Sequence, residues 1–184
     1  MSAYDLPTSA VINGVEYDIR SDYRAVLDIM AVMGDSSIND QERAYVILNI
    51  FYPDAESIPS SDIQEAVDYC LWFVGGGTDE KQGGRKPKVM DWQQDFPLIV
   101  SPINKALGFE VRAVEYLHWW TFLAAYQEIG DCLFAHVVSI RRKKKRGQKL
   151  DKSDQQFYRE NRQIIDLKIE MTNEEQDILN EWMS

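Results

Sequence analysis

Leu117-His118-Trp119-Trp120-Thr121-Phe122 sets three large rings and an imidazole within six consecutive residues. One short helix cannot hide that much apolar surface against itself, so these side chains either enter a core shared with other elements or meet a partner. Adjacent helical positions point about 100° apart, which puts Trp119 and Trp120 on different faces. We therefore expect one of them in the core and the other at a groove or subunit contact. The length of 184 residues and apolar content of 45% allow one good core, hence a single helical domain over 1–184.

The rest of the chain reads as elements to build that core. Asn13-Gly14 lies between two short runs of β-branched or aromatic character, Val11-Ile12 and Val15-Glu16-Tyr17, and supplies the positive φ angles of a type I′ turn. This predicts a hairpin over about 9–20, too small to stand alone, which must lie on a helix or add to another chain's sheet. Ser21 or Asp22 can cap a helix with Tyr23, Val26, Leu27, Met30 and Met33 on one face and Gly34 as its stop. Asn39 with Glu42 forms a capping-box pattern ahead of Ala44, Ile47, Leu48 and Phe51. Ser60 or Ser61 then caps a helix carrying Ile63, Ala66, Val67, Cys70, Leu71 and Val74.

Residues 75–84 hold five of the ten glycines and lead into Arg85-Lys86-Pro87-Lys88, so a flexible loop is expected over about 75–90. Trp92, Phe96, Ile99, Ile103 and Leu107 mark the next helix; Pro97 and Pro102 require it either to start near Asp95 or to bend. Further helices are predicted over Ala113–Ile129 and Cys132 to about Lys145. Polar helices follow over about 151–184, the first running to about Leu167 and the last, capped by Thr172 and Glu175, carrying Ile178, Leu179 and Trp182. The fold class is mainly α, a helical bundle of about six to eight helices with a small N-terminal β-hairpin.

Charge is unevenly distributed. The formal net charge is −10, yet Arg141, Arg142, Lys143, Lys144, Lys145, Arg146 and Lys149 place seven cations in nine residues. Three readings stand side by side: a solvated helix end favoured by the helix dipole, a docking patch for an acidic protein surface, and a grip on a phosphate backbone. The overall acidity argues against a general nucleic-acid role. Candidate partner-binding residues are thus Trp119, Trp120, Phe122 and Arg141 to Arg146.

No constellation points to catalysis, a metal or a cofactor. His118 and His136 lie on different predicted helices without ligands at zinc-motif spacing. Cys132 and His136 share a helix face at i, i+4, which is necessary but insufficient for a dyad. Gly75-Gly76-Gly77 lacks the Gly-Lys-Ser/Thr ending of a phosphate loop. Cys70 and Cys132 read as buried, reduced thiols. The longest nearly apolar stretch, Tyr116 to Tyr126, is too short for a membrane span, which needs about 20 residues.

Gly108-Phe109-Glu110-Val111, Leu117-His118-Trp119-Trp120-x-Phe122, Gly130-Asp131 and Val138-x-Ile140-Arg141, in this order, resemble the "gene product fifteen" family of tailed phages that infect Gram-positive bacteria. The resemblance runs from about Val11 to Leu167. It implies a siphophage tail assembly protein encoded just before the tape measure gene, where tail assembly chaperones are found. Such a protein would bind the tape measure protein and help recruit tail tube protein in the host cytoplasm, without being an enzyme. It could form a homo-oligomer; the alternative functions are a structural tail component retained in the virion and a nucleic-acid-binding accessory protein acting through the 141–149 basic run.

Overall fold

The computed structural model describes residues 5–78 and 88–168. Eight α-helices and one two-stranded antiparallel sheet occupy them. The expected loop over 75–90 lies mostly outside the described residues, as does the predicted final helix with Ile178, Leu179 and Trp182. The chain divides into two compact units, one within residues 1–77 and one within 78–168.

In the first unit, β1 (Ser9–Ile12) pairs with β2 (Val15–Asp18) through the Asn13-Gly14 turn. Both turn residues have positive φ, 48° and 80°, as a type I′ turn demands. The hairpin lies on α3 (Ile63–Val74): the Tyr69 hydroxyl donates to the Ser9 carbonyl at 2.8 Å, and the Asn13 N–H donates to Glu65 at 3.2 Å.

Helix α1 (Tyr23–Gly34) begins at Asp22, whose carboxylate accepts the Arg24 N–H. Its buried stripe includes Val26 and Ile29, whereas Met33, expected inside, is exposed. Helix α2 (Asp40–Phe51) begins with the expected capping box: Asn39 accepts from Gln41 and Glu42, while Glu42 accepts the Asn39 N–H. On α3 the inward set is Ala66, Cys70, Phe73 and Val74; Ile63 and Leu71 face out. A 3-10 turn, Ser60–Asp62, precedes α3, so neither Ser60 nor Ser61 is its cap. Phe51 joins α2 to α3 through Phe73, with ring centres 5.2 Å apart, and the buried Tyr52 hydroxyl donates to the Ala66 carbonyl at 3.0 Å.

The second unit comprises α4 (Trp92–Leu107), α5 (Trp119–Gln127), α6 (Leu133–Lys145), α7 (Lys152–Glu160) and α8 (Arg162–Ile165). Helix α4 starts three residues before Asp95, because the Asp91 carboxylate caps it by accepting the Gln94 N–H at 2.9 Å. Pro97 and Pro102 both lie inside it. It ends on Gly108 at φ 79°, where Cβ-bearing residues are strained.

Helix α5 is shorter than expected. Val111–Ala113 form a 3-10 turn, and the helix begins only at Trp119, because His118 is its N-cap: the Trp120 N–H donates to His118 Nδ1 at 3.0 Å. An accepting Nδ1 places the neutral ring's proton on Nε2. The polar helix expected to reach Leu167 is instead two helices, divided at Asn161, whose side-chain amide donates to the Phe157 carbonyl.

Candidate functional site

Helix α6 runs from apolar to cationic, and its last two turns organise the second unit. Phe134, Val137 and Ile140 are buried, and the same stripe continues onto Arg141. Val137 and Ile140 cluster with Ile165 of α8, with Leu98, Phe157 and Tyr158 packed around them. Arg141 is only 4% exposed, and its partner Asp95, in the first turn of α4, is fully buried.

A buried guanidinium is tolerable only if paired and fully hydrogen-bonded. Here each of its five N–H groups has an acceptor. Nη1 donates to Asp95 Oδ2 at 2.6 Å and to the Val89 carbonyl at 3.3 Å. Nη2 donates to Asp95 Oδ1 at 2.9 Å and to the Ile164 carbonyl at 2.7 Å, and Nε donates to the Ile165 carbonyl. Asp95 also accepts the Asp91 N–H at 2.9 Å. One side chain thereby ties the start of α4 and the end of α8 to α6.

The next cations repeat the arrangement closer to solvent. Lys143 donates to Asp154 of α7, which also faces His136 Nε2 at 3.1 Å. The hydrogen bond from Lys143, then that from His136, holds the Asp154 carboxyl below its ordinary range. Lys144 donates to Asp166 at 2.7 Å and lies over the Tyr158 ring, 3.8 Å from its centre.

Partial burial would push the Asp166 pKa up, but hydrogen bonds from Lys144, Arg162 and Tyr158 outweigh it and bring it down to about 2. A depressed folded-state pKa contributes stability above the unfolded value and loses it as pH falls. The Asp166 contacts should therefore weaken between about pH 4 and pH 2. A carboxyl-carbon NMR titration of Asp166 should have its midpoint near 2, and Asp166→Asn should flatten the acid response of α8. A midpoint at an ordinary aspartate value would show that these bonds do not persist in solution.

The predicted site residues thus part into two groups. Trp119, Phe122 and Arg141 lie in the interior, and Lys143 and Lys144 are spent on α7 and on the turn after α8. Trp119 stacks on Phe122 at 5.7 Å and meets the edge of Trp92 at 6.0 Å. Trp92 continues the cluster to Tyr126 at 4.9 Å. Trp120 is half-buried, its ring edge-on to His118 at 5.9 Å. Arg142, Lys145, Arg146 and Lys149 are exposed and make no side-chain ion pair among the described residues. Arg142, Lys145 and Arg146 follow i, i+3, i+4 spacing and form a short cationic strip.

The cysteine and histidine pairing considered from sequence is not made. His136 stacks on Phe157 at 4.3 Å, while Cys132 is half-buried and caps α6, accepting the Ala135 N–H through sulfur. Burial pushes the Cys70 thiol up to about 12, which leaves it without nucleophilic character at neutral pH. Among the described residues no group of three or more His, Cys, Asp or Glu side chains is placed to hold a metal ion. Nor is any helix there long and apolar enough to cross a membrane.

The architecture is that of a small helical protein whose basic run is partly consumed by its own packing. The family described as bacteriophage Gp15 protein matches residues 4–167, and the chain belongs to it. No curated protein and no solved structure matches the chain.

Proposed function

We propose that this phage protein is a non-enzymatic tail assembly factor, a tail assembly chaperone that binds the tape measure protein in the host cytoplasm. The observation carrying this reading is the outward strip of Arg142, Lys145 and Arg146, with Lys149 beyond it, held on a helix that Arg141 fixes from within. Exposed charges of one sign on a rigid element steer the encounter with an acidic surface while contributing little to stability.

The same count weakens the nucleic-acid alternative. Once Arg141, Lys143 and Lys144 are spent internally, the four outward cations of the run could neutralise only about four phosphates, giving modest affinity that salt readily erodes. Co-expression with the tape measure protein of the same phage should yield a complex, and mass spectrometry should find this chain missing from finished particles. Its presence there in stoichiometric amount would favour a virion component. Salt-sensitive retention of DNA at near-physiological ionic strength, without a tape measure complex, would favour the nucleic-acid reading.

A further inference from the structure

The hairpin of the first unit has one covered edge and one open edge. A two-residue type I′ turn makes Ile12 and Val15 a hydrogen-bonded pair, and the Ile19 N–H to Thr8 carbonyl bond at 3.0 Å keeps the same alternation at the far end. The backbone groups of Ser9 and Val11 on β1, and of Glu16 and Asp18 on β2, therefore point out of the hairpin. On the β1 side α3 is in place, with Tyr69 bonded to the Ser9 carbonyl.

On the β2 side pairing starts and stops. The Arg20 N–H donates to the Phe51 carbonyl at 2.8 Å, but Pro53, two residues further on, has no N–H to give. No hydrogen bond from the described residues reaches the outward backbone groups of Glu16 or Asp18. Beside this edge lies a groove of about 450 Å³, whose lining combines apolar Val15, Tyr17, Tyr52 and Pro53 with the carboxylates of Glu16, Asp18 and Asp54.

We infer that the β2 edge binds an extended peptide segment bearing Lys or Arg at alternate positions, which joins the hairpin as a third strand. Backbone groups of Glu16 and Asp18 supply the ladder. Side chains on one face of the added strand meet the two carboxylates, and those on the other meet Val15 and Tyr17. A second copy of β2 is a poor occupant, because antiparallel self-pairing would set Glu16 and Asp18 against their own counterparts, and directly opposed like charges are destabilising. This surface is opposite in charge to the α6 strip and does not depend on the tail assembly reading.

The test uses the full chain, isotope-labelled, with two synthetic hexapeptides of alternating sequence, one Lys-Val and one Glu-Val, both blocked at their ends. The Lys-Val peptide should shift the amide signals of Glu16 and Asp18 and slow their hydrogen exchange about tenfold, with the Glu-Val peptide inert. Asp18→Pro removes an outward N–H without touching the hairpin ladder and should abolish the effect. The charge-reversed pair Glu16→Lys with Asp18→Lys should exchange the preference toward the Glu-Val peptide, and it decides the matter if the proline variant does not fold. Equal response to both peptides, or shifts confined to residues away from β2 and 52–57, would overturn the inference.

Discussion

Arg141→Met should destabilise the second unit by about 3–5 kcal/mol, a large share of the roughly 5–15 kcal/mol that holds a domain of ordinary stability. The loss does not come from the value of an ion pair as such, since the attraction between Arg141 and Asp95 is offset by the cost of drying both groups. It comes from what the substitution leaves behind: a fully buried Asp95 carboxylate deprived of its cation, and the carbonyls of Ile164 and Ile165 deprived of their guanidinium donor. Removing both charges in Asp95→Leu with Arg141→Met should therefore be less damaging than Arg141→Met alone. Urea unfolding read by exchange of the α4 and α6 amides measures these two variants and Asp95→Leu alone. If the double variant loses the sum of the two single losses, the two residues are not acting as one unit.

Trp119→Ala should cost about 3–5 kcal/mol, because it empties a fully buried ring site between Trp92 and Phe122. Trp120→Ala, at a half-buried position, should cost about 1 kcal/mol. The two tryptophans are neighbours in sequence, so the contrast isolates position from chemistry. Thermal unfolding of the two variants side by side is sufficient, and equal losses would mean that Trp120 is as much a core residue as Trp119.

The hairpin and the capping box were readable from short range alone, since Asn13-Gly14 and Asn39 with Glu42 impose their geometry on two to four residues whatever surrounds them. That Trp119 and Trp120 differ in burial follows from helical rotation. The role of His118 was hidden, because an imidazole among rings reads as core and its capping depends on where the helix starts. The burial of Arg141 is hidden for a related reason. A run of cations looks uniform in sequence, yet Phe134, Val137 and Arg141 share one helical stripe at i, i+3, i+7, and that spacing was the available signal of burial. Its partner Asp95 lies 46 residues away and carries no local mark of pairing. The break at Asn161 between α7 and α8 is not marked in the sequence, because a polar residue in a polar stretch leaves no apolar period to interrupt.

The basic run is divided between ion-paired anchors and an outward strip, and association kinetics with a tape measure segment test the role of that strip most directly. Two variants are compared with the unaltered protein at low and near-physiological salt: Arg142→Gln with Lys145→Gln and Arg146→Gln, and Lys143→Gln with Lys144→Gln. The first should associate about tenfold more slowly at low salt, with the difference shrinking as salt rises and the melting temperature unchanged. The second should melt earlier, through loss of the bonds to Asp154 and Asp166, and bind nearly normally while folded. Unaltered association by the first variant, at a rate indifferent to salt, would contradict the assignment of the strip to partner capture.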